Sequence, residues 1–218
     1  MADFDPGTGL GPRLRLVRAS RQLSVRELAR RVGCSASLIS QIERGVSVPS
    51  VGVLYSLATE LGSSLDYLLF GSGAGPDGVS AETPAAGAGP AVTPEPRTAV
   101  PPAAIVQRGC DRRIIDLASG VRWERLTPQS EALTDFLEVI YSPGGHSTDE
   151  RRPLRHDGRE YGLIISGTLQ ANVGFESYEL GPGDSIAFDS STPHEYLNKT
   201  GEVVHAIWVV AHSEPGRA

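Results

Sequence analysis

The hydrophobic positions of the chain follow two different periods, one in each half. From about residue 13 to residue 70, apolar residues recur every three or four positions, the spacing of one face of an α-helix. From about residue 101 onward, short apolar runs alternate with turn residues, as they do in an all-β barrel or sandwich. The sequence therefore predicts a multidomain α and β protein, with a helical domain at residues 11–70 and a β domain at residues 101–218.

Two short helices joined by a tight turn are the best-defined part of the helical half. Ser24 can cap the first helix, Glu27 three residues later makes a capping box, and Gly33 ends the helix. Ser35 then caps a second helix with one apolar face. The other face carries small or hydrogen-bonding side chains, namely Ser37, Ser40, Gln41 and Arg44. Such a face suits the major groove of DNA, where base edges present donors and acceptors.

Three further helices complete this domain. Residues 13–22 predict an amphipathic first helix. Pro49 and Ser50 open a fourth helix that runs through Leu61, and Ser64 caps a short fifth helix at residues 65–70. A five-helix domain of this size is small but can bury one core.

The helical segment resembles the helix-turn-helix of the phage-repressor-like (XRE) regulators over about residues 11–70. The shared features are Leu28-Ala29, the Gly-x-Ser turn at residues 33–35, Ile39-Ser40, Glu43-Arg44-Gly45 and Pro49-Ser50. The sequence departs from the family at Val25, where a Gln usually follows the Ser that opens the first of the two helices. The resemblance implies contacts to DNA from Arg26, Ser35, Ala36, Ser37, Ser40, Gln41 and Arg44.

The net charge of −6 becomes compatible with DNA binding when it is divided along the chain. Residues 11–70 hold eight Arg and four acidic residues, so 8 − 4 = +4. Residues 101–218 hold eleven basic and seventeen acidic residues, so 11 − 17 = −6. Only the local sign matters for attraction to phosphates, because salt screens exposed charges beyond about 8–10 Å.

The rest of the composition bounds the class of protein. There is no apolar run of membrane-spanning length, and the acidic amino terminus lacks the features of a secretory signal. Cys34 and Cys110 fall in different predicted domains and suggest no disulfide framework, so we expect a reduced, cytoplasmic location.

Residues 1–10 are expected to be disordered. Gly, Pro and Ala make up 18 of the 30 residues at 71–100, which predicts a flexible linker with a span of roughly 30 Å.

In the β half, turn residues separate six candidate strands. These are residues 121–126, 136–141, 161–165, 168–173, 185–188 and 203–210. Two segments between them carry polar residues at fixed spacing: Leu154-Arg-His156-Asp-Gly-Arg-Glu160, and Gly183 through Pro193-His194. Both resemble the two motifs of the cupin superfamily, a small double-stranded β-helix barrel.

The cupin resemblance implies a pocket with metal-ligating residues. A metal-binding cupin takes two His and a Glu from the first motif and a third His from the second. Here His156, Glu160 and His194 occupy three of these places, and Leu154 occupies the fourth. Two His and one carboxylate can hold Fe(II), Mn(II) or Zn(II). The alternative is that they orient an organic ligand or bond to one another. Asp157-Gly158 predicts a hairpin turn, with His156 ending one strand and Glu160 beginning the next.

The two resemblances together imply a sequence-specific, DNA-binding transcriptional regulator, with a cupin domain that senses an unidentified small molecule. We expect a homodimer on double-stranded operator DNA, because two recognition helices about 34 Å apart match successive major grooves. A rival is a mononuclear non-haem iron epoxidase of the same two-domain plan, which acts on hydroxypropylphosphonate with help from a lysine of the helical domain. Lys199, in the β domain, is the only lysine here, which favours the regulator. A third alternative is a barrel that serves only for dimerisation.

Overall fold

The computed structural model describes residues 9–71, 105–129, 131, 133–148 and 153–212. The amino-terminal part consists of five helices: α1 Leu10–Ser20, α2 Val25–Val32, α3 Ala36–Glu43, α4 Val51–Leu61 and α5 Leu65–Phe70. The predicted linker, apart from Gly71, and most of the amino-terminal segment lie outside the described residues. None of the described helices is long and apolar enough to cross a membrane.

Serine side chains begin four of these helices. Ser24 accepts a hydrogen bond from the Glu27 amide, and Ser35, Ser50 and Ser64 accept equivalent bonds at α3, α4 and α5. The Glu27 carboxylate, however, accepts hydrogen bonds from the Arg30 and Arg31 side chains three and four residues along the same helix. The Ser24 hydroxyl therefore caps α2, whereas the Glu27 carboxylate pairs with two arginines on the surface of the same helix.

The α2–α3 turn is the one that the sequence predicts. Gly33 ends α2 with a left-handed backbone at φ 77°, a conformation that costs glycine little. Leu28, Ile39 and Ile42 are buried and pack with the apolar faces of α1, α4 and α5. The turn thus fixes α3 with its apolar face inward and its polar face outward.

A partly buried ion pair links α3 to α1. The Arg18 guanidinium donates from Nε to Glu43 Oε1 at 2.5 Å and from Nη2 to Glu43 Oε2 at 3.0 Å. Its Nη1 also donates to the Leu23 carbonyl at 2.8 Å. Because Glu43 is the last residue of α3, this pair holds the carboxyl end of that helix against α1.

The carboxy-terminal part is built of nine antiparallel strands. They are β1 Ile114–Leu117, β2 Val121–Arg125, β3 Thr134–Tyr141, β4 Arg159–Ser166, β5 Leu169–Val173, β6 Glu176–Leu180, β7 Ser185–Asp189, β8 His194–Leu197 and β9 Val204–Ala211. A six-stranded sheet has the order β1-β2-β3-β9-β4-β7, and a three-stranded sheet has the order β6-β5-β8. The six predicted strands are present, within one or two residues at their ends, and β1, β6 and β8 are additional.

Alternation along the central strands places the core and the pocket. In β9, Val204, Ala206, Trp208 and Val210 are buried, and the residues between them are partly exposed. Strands β3 and β4 alternate in the same way on either side of β9. One face of the six-stranded sheet therefore lines the interior, and the other faces outward.

The helical domain packs directly on the barrel. The Gly52 amide donates to the Ser147 carbonyl at 3.1 Å, and the Ala118 amide donates to the Pro49 carbonyl at 3.3 Å. At the other end of the domain, Arg113 donates to the carbonyl of Phe70 at 3.0 Å. The amino-terminal end of α4 and the carboxyl end of α5 therefore both rest on the β domain.

Candidate functional site

The outward face of α3 is the first candidate site. Ser37 is exposed, and Gln41 one turn later lies with its side-chain nitrogen 3.5 Å from the Ser37 hydroxyl. Arg44 donates to the Ser40 hydroxyl at 2.6 Å. Hydrogen-bonding groups thus follow one another along the helix on the side opposite the buried residues. This is the arrangement in which a helix can read base edges in a major groove.

The other predicted DNA-contacting residues surround this face. Arg26 is exposed on α2, and Ala36 is half-buried in the first turn of α3. Ser35 is exposed, but its hydroxyl already accepts a hydrogen bond from the Leu38 amide at 3.1 Å. Hydrogen bonds from Arg30 and then Arg31 lower the pKa of Glu27 to about 2, so this carboxylate is ionised at neutral pH. The structure brings all seven predicted residues to the α2–α3 unit.

The second candidate site lies inside the barrel, where the structure brings His156, Glu160 and His194 together. All three are buried, and one potential ligand atom from each lies within 4.8 Å of the others. His156 Nε2 is 2.7 Å from Glu160 Oε1, and His194 Nε2 is 3.0 Å from the same oxygen. Among the described residues, this is the one group of three or more His, Cys, Asp or Glu side chains that could hold a metal ion.

Aromatic donors hold the Glu160 carboxylate in place. Its Oε2 accepts hydrogen bonds from the Tyr196 hydroxyl at 2.6 Å and from Trp208 Nε1 at 2.7 Å. Burial alone would raise the pKa of Glu160, but the two imidazoles beside Oε1, His156 and His194, outweigh burial and hold this pKa well below its ordinary value. Glu160 is thus a fixed anion in an apolar, aromatic surrounding.

A hydrogen bond to a backbone carbonyl orients the His194 ring toward Glu160. Its Nδ1 lies 2.8 Å from the Thr192 carbonyl, so Nδ1 carries a proton and Nε2 points into the site. Although Nε2 is close to Glu160 Oε1, it is buried without a hydrogen bond of acceptable geometry. Because hydrogen bonds weaken steeply when they bend, this short contact leaves Nε2 without a hydrogen-bond partner among the described residues. A metal-ligating histidine typically donates a hydrogen bond from its other ring nitrogen to a carbonyl or carboxylate, as Nδ1 of His194 does here.

The predicted hairpin between His156 and Glu160 is wrong. Glu160 lies in β4 as expected, but β4 pairs with β7 and β9 rather than with the segment before it. His156 stands outside any regular strand, with its amide bonded to the Ser190 carbonyl at 3.1 Å. Leu154 forms an isolated bridge to His194, so the two motifs meet through this contact.

Several side chains that build the pocket are not among the residues predicted from the sequence. The Trp208 ring can pack against β4 only because Gly162 is opposite, where an added Cβ would come within 2.4 Å of the indole ring. A lone glycine inside a predicted strand is a known sign of close approach by another group, so this contact could have been suspected. Tyr55 of α4 also lines the pocket, and no local signal in the sequence indicates this.

Comparison with known families agrees with both halves of the fold. A helix-turn-helix family model matches residues 14–68, and a cupin domain family model matches residues 137–210. The chain is a transcriptional regulator that combines an XRE-type helix-turn-helix domain with a cupin domain.

The similarity to one such regulator extends over nearly the whole chain. The HTH-type transcriptional regulator PuuR of Escherichia coli (strain K12) is 26% identical over 203 residues, which are 93% of this chain and 95% of PuuR. An HTH_3 family transcriptional regulator from Vibrio cholerae has the same overall fold, with a TM-score of 0.64, 20% identity, and coverage of 96% of this chain and 98% of that one.

An enzyme also aligns, but more distantly. The hydroxypropylphosphonic acid epoxidase from S. wedmorenis is 18% identical, with a TM-score of 0.41 over 94% of this chain and 98% of the epoxidase. A TM-score this low supports no conclusion about a shared activity.

Proposed function

We propose that the chain binds operator DNA through the face of α3 and reports on a small molecule bound in the cupin pocket. The observation that carries the first part is the division of α3 into two faces. Ile39 and Ile42 are buried, while Ser37, Gln41 and Arg44 lie on the outward side. Such binding would take place in the cytoplasm, where a bacterial chromosome is accessible.

The test of DNA binding is a single substitution on α3. Gln41→Ala removes one potential bidentate base contact and should cost about 1–3 kcal/mol at one base position, with relaxed specificity there. Genome-wide mapping of bound DNA, followed by binding to variants of the sites found, measures both effects. Gln107→Ala, which removes the same side chain from the opposite domain, is the matched control. An unchanged base preference for Gln41→Ala would reject α3 as the reading helix.

We further propose that two copies associate through the outward face of the six-stranded sheet. Phe136 on β3, Val209 on β9 and Tyr161 on β4 are neighbours in one row, and Leu163 and Ile207 adjoin them in the next. Phe136, Tyr161 and Leu163 are all exposed. A second copy is the fitting occupant because two recognition helices are needed for two half-sites.

This interface can be tested by sedimentation. Leu163→Glu places a charge in the row beside Phe136, Val209 and Tyr161, within the same apolar patch, and should convert the dimer to a monomer. Phe175→Glu makes the same kind of change at a fully exposed hairpin position outside the row and should leave the dimer intact. A wild-type monomer, or a Leu163→Glu dimer as stable as the wild type, would exclude this face.

The pocket residues fit a divalent metal ion. The unpaired Nε2 of His194, the Nε2 of His156 and the anionic Glu160 offer two nitrogens and one oxygen, a set that suits Fe(II), Mn(II) or Zn(II). When bound, such an ion would act as a Lewis acid that attracts anionic or oxygen-bearing groups of an effector. Trp208 and Tyr196 would keep the Glu160 carboxylate oriented toward it.

Metal analysis of full-length protein purified without chelator or affinity nickel tests this proposal. His194→Ala should abolish metal uptake while leaving operator binding largely intact, because the residues that line the pocket include none from α3. His205→Ala, which removes a partly exposed histidine paired with Glu138 outside the pocket, is the matched control. Equal metal content in the wild type and His194→Ala would reject these residues as ligands. We propose no catalytic step for this pocket.

A further inference from the structure

The helical domain supplies one wall of the barrel pocket. Val51 and Tyr55, one turn apart on α4, both line the cavity that borders Glu160. Between them, Gly52 bonds through its amide to Ser147 of the barrel, and a methyl group added at Gly52 would lie 3.3 Å from the Leu154 side chain. The first turn of α4 is therefore seated on the barrel through both backbone and side-chain contacts.

The Tyr55 ring covers one of the three candidate ligands. It stacks on the His156 imidazole with a centroid distance of 4.3 Å and an interplanar angle of 8°. It also meets Trp123 edge-on, with centroids 6.0 Å apart at 72°. Burial, and then the charge of Glu160, raise the pKa of Tyr55 well above its ordinary value, so the phenol stays neutral. The ring is thus a neutral, close-packed cover over His156.

Little space remains beneath this cover. The cavity has a volume of about 20 Å³, and a single water needs roughly 10–15 Å³. An organic molecule therefore has no room while the Tyr55 ring is in place. Other walls of the cavity, including Trp123, Tyr141 and Trp208, stand on hydrogen-bonded strands. Tyr55 stands on a helix that reaches the barrel from another domain, and it is therefore the wall that can move at least cost.

We infer that Tyr55 is the movable cover of the pocket, whose ring must leave His156 before an organic effector can enter. The inference rests on the proposed function of the pocket as an effector site. Because Tyr55 lies one turn from the Gly52–Ser147 contact, its departure disturbs the seating of α4 on the barrel. Helix α4 shares one small core with α3. Effector binding is thereby transmitted to the DNA-reading helix as a change in how the helical domain sits on the barrel.

Acrylamide quenching of tryptophan fluorescence in the full-length protein tests the role of Tyr55. The chain has two Trp residues, Trp123 and Trp208, and both line this pocket. Tyr55→Ala should raise the quenching constant severalfold, because it opens the pocket to a small neutral quencher. Adding 4-methylphenol, the free equivalent of the missing side chain, should return quenching toward the wild-type value. Tyr55→Phe keeps the ring and should behave as the wild type.

Tyr178→Ala removes an exposed tyrosine from β6 and controls for the loss of a tyrosine as such. Tyr55→Leu, which lacks the ring but keeps an apolar side chain, replaces Tyr55→Ala if circular dichroism shows that the alanine variant is unfolded. Unchanged quenching in a folded ringless variant would overturn the inference. Equal quenching in Tyr55→Phe and Tyr55→Ala would overturn it too, because the hydroxyl and not the ring would then close the pocket.

The outcome can be separated from that of the metal and DNA proposals. Quenching needs neither a bound ion nor operator DNA, so a negative metal analysis leaves this test intact. If the quenching results hold and the pocket binds no effector, Tyr55 closes a structural cavity, and the proposed sensing function fails instead.

Discussion

The ion pair between Arg18 and Glu43 gives a prediction that can be worked out from its geometry. Arg18→Ala removes two charge-assisted bonds to Glu43 and one bond to the Leu23 carbonyl. The two side chains are 14% and 8% exposed, so the pair is mostly but not fully withdrawn from water. Breaking a fully buried pair costs about 3–5 kcal/mol, whereas hydrogen bonds to charged groups contribute about 1.5–3 kcal/mol. We therefore expect the lower range, about 2–3 kcal/mol.

The four proteins of a double-mutant cycle separate the pair from its surroundings. Glu43→Ala should cost slightly less than Arg18→Ala, since Arg18 keeps its bond to Leu23. The coupling energy between the two positions should be about 1–2 kcal/mol. Denaturant unfolding followed by far-ultraviolet circular dichroism reports the helices, while the fluorescence of Trp123 and Trp208 reports the barrel. The two probes are needed because a two-domain chain need not unfold in one step.

Arg30 and Glu27 provide a matched control within the same domain. They form the same fork-like pair, with distances of 2.7 and 3.0 Å, but the Arg30 side chain is 72% exposed. Arg30→Ala should leave the midpoint of denaturant unfolding unchanged within error, because water solvates both charges when the pair separates. A coupling between Arg18 and Glu43 no larger than in this control would refute the argument from burial. Arg18→Ala and Glu43→Ala should also bind operator DNA more weakly, because Glu43 is the last residue of α3, the proposed DNA-reading helix.

Three other outcomes follow from the β domain. Gly162→Ala should displace the Trp208 indole and shift its fluorescence, because the added methyl group would overlap the ring; an unchanged spectrum would contradict the close approach. Burial alone would lower the pKa of His212, but the hydrogen bond and charge of Asp135, together with the charge of Glu160, raise it above its ordinary value. The pair should therefore stabilise the barrel fully below about pH 6.5 and lose that effect as pH rises through the raised pKa. His212→Gln should flatten the dependence of unfolding free energy on pH in that window. Leu154→His should tighten metal binding in equilibrium dialysis if the pocket holds an ion, since this side chain already lines it.

The helical domain was largely readable from the sequence because its signals are local. Ser64 and the residues after it predicted α5 at its observed bounds, Leu65–Phe70, since a cap and the helix it begins lie side by side in the chain. The predicted first helix begins three residues later than α1 does, because Gly9 and Leu10 give no side-chain cap to mark its start.

Strands β1, β6 and β8, which the sequence does not predict, lack such local signals. Four of the five residues of β6 are exposed, so no alternation of apolar and polar residues marks it. The predicted hairpin before Glu160 is wrong for a related reason. A turn signal at Gly158 shows that the chain bends but does not show which strand β4 will pair with. Motif spacing predicts the three pocket residues His156, Glu160 and His194. The contact between Tyr55 and His156, in contrast, joins positions far apart in the chain, and no local pattern in the sequence indicates it.

Helix α4 contributes to two hydrophobic interiors at once, and this limits how the chain can be re-engineered. Leu54, Leu57 and Leu61 pack within the helical domain, whereas Val51 and Tyr55 face the barrel cavity. A chimera that joined this barrel to a foreign DNA-reading domain would leave the cavity without its cover. The same exchange would expose an apolar helix surface on the displaced domain. Domain shuffling in this architecture therefore requires that the α4 surface be transplanted together with the barrel, however long the segment that connects the two.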